Sequence, residues 1–66
     1  MKLKINGKDV SLSQKKTLSE LLLEKGMHPD RIVVEYNMKI VPKEEWHNIM
    51  LGDNDTVEIV SFVGGG

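Results

Sequence analysis

The sequence predicts a two-layer α+β domain in which one helix lies across one face of a small mixed sheet. Three observations carry the prediction. Period-two alternation flanks Asn6-Gly7, a short amphipathic stretch sits between clear helix start and stop signals, and a β-branched run from Thr56 to Val63 precedes the terminal glycines. A single helix covers only one sheet face, so the other face lies in water. With 66 residues there is room for one domain only, since domains usually run to about 100–150 residues.

Met1, Leu3 and Ile5 alternate with Lys2 and Lys4, Asn6-Gly7 supplies the two positive-φ positions of a tight turn, and Val10 and Leu12 resume the alternation. This predicts a β-hairpin with Lys2, Lys4 and Lys8 on its wet face. Thr17 and Glu20 have the spacing of a capping box, and Leu18, Leu21, Leu22 and the stem of Lys25 share the buried face of the helix that follows. Gly26 suits the left-handed residue that ends a helix, Met27 the accompanying apolar contact, and Pro29 prevents resumption, so the helix runs from Thr17 to about Lys25. Ile32 to Tyr36 is a third strand with Ile32, Val34 and Tyr36 on one face and Val33 and Glu35 on the other.

Ile40-Val41 predicts a short fourth strand, and Pro42 the first position of a helical turn that ends at Trp46. Ile49, Met50 and Leu51 are expected as buried loop anchors. Gly52-Asp53-Asn54-Asp55 is turn chemistry, and the strand after it contains no proline or glycine before Val63, so it suits the middle of a sheet. This is the order of elements in a β-grasp, with four to five strands and the last one central and parallel to the first; the alternative places that strand at an edge. Residues 1–63 form the domain and 64–66 a flexible tail.

Composition excludes much. No cysteine is present, which removes disulfides and thiolate zinc sites, and a chain this short needs its apolar 39% for a core and not for a ligand pocket. A net charge of −1 gives no electrostatic case for a nucleic acid or an anionic membrane. No apolar run is long enough to cross a bilayer or to act as a signal peptide, and the expected location is the cytoplasm. His28 and His47 lack metal-ligand spacing, Asp53-Asn54-Asp55 lacks the pattern of a calcium loop, and Glu44-Glu45 has no pocket to shift its pKa. No metal site, bound cofactor or catalytic set is predicted.

The chemistry therefore falls to the terminus. Gly64, Gly65 and Gly66 lose more entropy on ordering than any other tripeptide and cannot serve stability. They form the thinnest peptide available and reach roughly 10 Å beyond the fold, enough to carry the Gly66 carboxylate into a partner's active site. A carboxylate becomes an acyl donor only after activation, most simply as an acyl-adenylate made by a partner that uses ATP. Beside the tail, Val33, Val60, Phe62 and Val63 form a candidate partner-docking patch. The plain alternatives are a frayed end with no task and scattered surface hydrophobicity.

Ile5-Asn6-Gly7-Lys8, Thr17-Leu18 with Leu21-Leu22, Ile40-Val41-Pro42-Lys43-Glu44-Glu45-Trp46 and the ending from Asp55 to Gly66 resemble the ThiS family of ubiquitin-like sulfur carriers along essentially the whole chain. The resemblance implies the thiazole branch of thiamine biosynthesis. A ThiF-like adenylyltransferase adenylates Gly66 with ATP, sulfur reaching it through a cysteine desulfurase displaces AMP, and the resulting thiocarboxylate serves a ThiG-like thiazole synthase. The carrier itself is not an enzyme. Two other readings remain: the small subunit of molybdopterin synthase, and a protein-interaction module with an inert tail. Two departures stand out. Met38 occupies a position often held by glycine in the family, which implies a differently shaped turn, and three glycines end the chain where many members have two.

Overall fold

In the computed structural model, residues 1–62 are described. Strands β1 (Lys2–Ile5) and β2 (Lys8–Ser11) form the first hairpin, with Leu3 opposite Val10 and Ile5 opposite Lys8. Asn6 (φ 52°) and Gly7 (φ 80°) provide the left-handed pair that a two-residue turn requires. Lys2 and Lys4 face water as expected. Register puts Lys8 on the helix side, where it stays exposed.

Helix α1 (Leu18–Glu24) begins at the predicted capping box: Thr17 Oγ1 accepts from the Glu20 amide at 3.1 Å, and Glu20 Oε1 accepts from the Thr17 amide at 2.7 Å. Its end is a Schellman motif, with the Met27 amide bonded to the Leu22 carbonyl at 3.2 Å and the Gly26 amide to the Leu23 carbonyl at 3.0 Å. Gly26 is left-handed (φ 71°) and Met27 packs against the core. Lys25 does not lie along the apolar face. It is the exposed C-cap.

A 3₁₀ turn at Pro29–Arg31, capped by His28 Nδ1 accepting from the Asp30 amide at 3.2 Å, leads into β3 (Ile32–Tyr36). The fourth strand, β4, is Lys39–Ile40, one residue earlier than the sequence suggests, and the Val41 amide still bonds to the Val34 carbonyl at 2.9 Å. Between β3 and β4, Asn37 (φ 50°) and Met38 (φ 74°) are both left-handed. The turn thus has the same pair of left-handed residues as Asn6-Gly7 and places a methionine where that geometry favours glycine.

Pro42 caps a second 3₁₀ helix at Lys43–Asn48 instead of standing inside it, and buried Trp46 donates its indole Nε1–H to the Val41 carbonyl at 3.0 Å. The next segment pairs with the helix entry, through Leu18 amide to Ile49 carbonyl (2.8 Å) and Leu51 amide to Lys16 carbonyl (3.0 Å). Extended backbone sends alternate side chains to opposite sides. Leu51 is therefore buried and Ile49 half-buried, whereas Met50 points outward and is no core anchor.

Strand β5 (Thr56–Ser61) completes a sheet of order β2-β1-β5-β3-β4, parallel to β1 and antiparallel to β3. The last strand is central, so the edge arrangement is excluded. Leu18, Val34 and Val57, from helix, β3 and β5, meet at the centre of the core with no exposed surface. Each contributes roughly 1.5–3 kcal/mol by leaving water. The core needs every one of them in a chain this short.

Candidate partner-docking face

The sheet face away from the helix carries the outward residues of all five strands. Val33 and Val60 are directly opposite each other across β3 and β5, 40% and 58% exposed. Phe62 follows at 45%, its amide bonded to the Arg31 carbonyl at 3.0 Å, which continues the antiparallel register past Ser61. Register also places Ile40, 69% exposed, on this face opposite Glu35. Sequence reading missed Ile40 because its face depends on the pairing of a two-residue strand. Val63, Gly64, Gly65 and Gly66 lie outside the described residues.

Across the sheet, β1 and β2 border a shallow groove of about 380 Å³ lined by Lys2, Lys4, Asp9, Ser11 and Thr56 among others. Lys4 Nζ lies 3.8 Å from Asp9 there, in an exposed ion pair of little energetic consequence. Among the described residues no group of three metal-ligating side chains comes together. His28 acts as a turn cap, and Glu44 and Glu45 are solvated.

Among the described residues, a concentrated polar network lies at the start of β5 and is architectural. Tyr36 Oη donates to Asp55 Oδ2 at 2.6 Å, Asn37 Nδ2 to Asp55 Oδ1 at 3.2 Å, and the Gly52 amide to Asp55 Oδ2 at 2.7 Å. Burial, then the Asp55 carboxylate, push Tyr36 up to about 12. Burial alone would raise Asp55, but hydrogen bonds from Tyr36, Gly52 and Asn37 outweigh it and hold the carboxyl below its usual range. These groups fasten the loop before β5 to the β3–β4 turn.

Asparagine side chains clamp β5 from both flanks. Asn6 Oδ1 accepts from the Ile59 amide at 2.6 Å, and Asn37 Oδ1 from the Thr56 amide at 2.9 Å. Their own amides reach the Val57 and Thr56 carbonyls, each at 2.8 Å. The strand that leads to the candidate tail is the most firmly held in the sheet.

Sheet order, the single crossing helix and a last strand running mid-sheet parallel to the first define a ubiquitin-like β-grasp protein. The crystal structure of the thiamine biosynthesis protein ThiS from Geobacter metallireducens superposes with a TM-score of 0.83 at 30% identity, covering all of both chains. A sequence profile of the ThiS family matches residues 3–66. The sulfur carrier protein ThiS of Bacillus subtilis is 42% identical over 65 residues, covering 97% of this chain and 98% of that one. A thiazole synthase of Paramagnetospirillum magneticum is also 42% identical over all of this chain, but the match takes up only 20% of that protein, so the chain spans about a fifth of such relatives. The chain belongs to the ThiS family.

Proposed function

We propose that the chain carries sulfur on its terminal carboxylate for the thiazole moiety of thiamine. The family match through the final glycine supports this most directly. Attack of the Gly66 carboxylate on the α-phosphorus of ATP, in a ThiF-like partner, releases pyrophosphate and leaves an acyl-adenylate. Sulfide, released from the persulfide of a cysteine desulfurase by a thiol reductant, then adds to the acyl carbon, and AMP leaves with the bonding pair. The thiocarboxylate so formed is a soft nucleophile suited to delivering sulfur to a carbonyl-bearing substrate in a ThiG-like thiazole synthase.

The chain's own part is to present and to dock. Residues 1–63 are the handle and Gly64 to Gly66 the arm, which enters two active sites in turn. Val33, Val60, Phe62 and Val63 seat the partner. Without a cysteine, no internal thiol can attack the activated end. Thiazole synthases that contain a segment similar to this chain favour a ThiG-like acceptor over a molybdopterin-synthase subunit. The reading includes a location in the cytoplasm, where ATP is at hand; among the described residues no helix is long and apolar enough to cross a membrane.

Incubation with ATP, the cognate adenylyltransferase and a sulfide source should produce the mass gain of one sulfur replacing one oxygen. Removing Gly65 and Gly66 should abolish it. An unchanged mass with an active partner refutes the reading. If the tail were inert and only the face mattered, Phe62→Asp would end partner binding while the truncation left the protein's task intact.

A further inference from the structure

Register sets Glu35 of β3 directly opposite Glu58 of β5, both on the open face. Like charges in directly opposed cross-strand positions are destabilising. The fold provides no compensation: among the described residues the ion pairs are Lys4–Asp9, Lys16–Glu24 and Lys43–Asp30, and none reaches either glutamate. Lys4, the outward cation of the neighbouring strand, stands opposite Thr56, with its Nζ 3.8 Å from Asp9 and in no ion pair with either glutamate. The second carboxylate at this rung thus has no ion-pair partner among the described residues.

Its surroundings suggest what it is for. Val33 and Val60 occupy the next outward rung, Ile40 stands across from Glu35 on β4, and Phe62 lies beyond Val60, all exposed. Two carboxylates whose Cβ atoms sit about 4.5–5.5 Å apart, bordered by apolar side chains that a docked partner would cover, complement a guanidinium. Its planar fork of five donors can bond to both, which the point charge of a lysine does less well.

We propose that Glu35 and Glu58 are a specificity-determining pair that receives an arginine of the thiazole synthase, set in an apolar patch that meets Val33, Ile40, Val60 and Phe62. This rests on the sulfur-carrier reading and adds the chemistry of the partner's surface. Relatives in which a similar domain is part of a thiazole synthase make that enzyme the surface to test.

The experiment compares the full chain with its Glu35→Gln/Glu58→Gln and Glu58→Lys variants by calorimetric titration against the thiazole synthase of the same cell, at low and high salt. Thermal melts of each free chain accompany the titrations. The Gln pair should melt higher than the parent yet bind about tenfold or more weakly, with most of the salt dependence gone. Glu58→Lys should bind more weakly still, and reversing the matching arginine of the synthase to glutamate should recover binding. A purely structural role would move melting and binding in the same direction. Binding by the Gln pair within about twofold of the parent at both salts, or no binding by the parent, overturns the proposal. The sulfur-for-oxygen mass gain of the parent chain tests the carrier reading separately.

Discussion

The Asn6-Gly7 and Asn37-Met38 turns are the same device built twice, with one difference. Both have two left-handed residues, and both use the asparagine's amide and side-chain oxygen to grip β5, one from each flank. Only the second residue differs. A Cβ added at Gly7 would meet nothing within 4 Å, so glycine is there for backbone conformation and not for space. Met38 accepts the same conformation at a cost of about 1–2 kcal/mol for a left-handed L-residue. The pair teaches that asparagine does the anchoring in both turns, while glycine at the next position relieves strain and is dispensable.

Removing an anchor should have the largest effect. Asn6→Ala leaves the half-buried Ile59 amide without its acceptor and loses a left-handed former, and should cost about 2–3 kcal/mol in urea denaturation. Asn37→Ala, whose bonds are more exposed, should cost about 1–2 kcal/mol. If the glycine mattered more than the asparagine, this order would reverse. Exchanging the second residues sharpens the point: Gly7→Met should destabilise by about 1 kcal/mol and Met38→Gly should stabilise by about as much, each seen as a shift in midpoint at constant m-value.

The smallest effect is electrostatic and belongs to the second turn alone. Tyr36 is the chain's one tyrosine, so tyrosinate absorbance reads it without interference. Its midpoint should lie near about 12 in the folded chain and near 10 in denaturant. The raised folded value means that this stability is complete below about pH 10 and is lost as pH rises toward 12. Asp55 has the opposite sign: its lowered pKa contributes stability above the unfolded value, and that is lost as pH falls through the folded one. Tyr36→Phe should therefore move the onset of acid unfolding to higher pH.

What could be read from sequence was whatever local chemistry decides. The capping box, the Schellman end and the Asn6-Gly7 turn each involve residues a few positions apart, and all three stand where the spacing put them. The core faces of β1, β3 and β5 followed from alternation. The asparagine clamps were not legible, because Asn6 meets Ile59 across 53 positions and Asn37 meets Thr56 across 19. The Tyr36–Asp55 bond was hidden for the same reason. Met50 was misplaced because a buried loop was assumed where a bridge to Thr17 turns alternate residues outward. Of the candidate docking patch, Val33, Val60 and Phe62 followed from strand parity, while Ile40 and the Glu35–Glu58 rung required the register.

Placing β5 between two neighbours also has a mechanical consequence. Traction applied at its C-terminal end runs along the strand, so its ladders with β1 and β3 are strained in shear, where several bonds must rupture together, and are not peeled one at a time. The side-chain grips near the opposite end of the strand add to that resistance. An enzyme could tug on the far end of this polypeptide, thread it and let it go many times, and the body would come back to each round still folded.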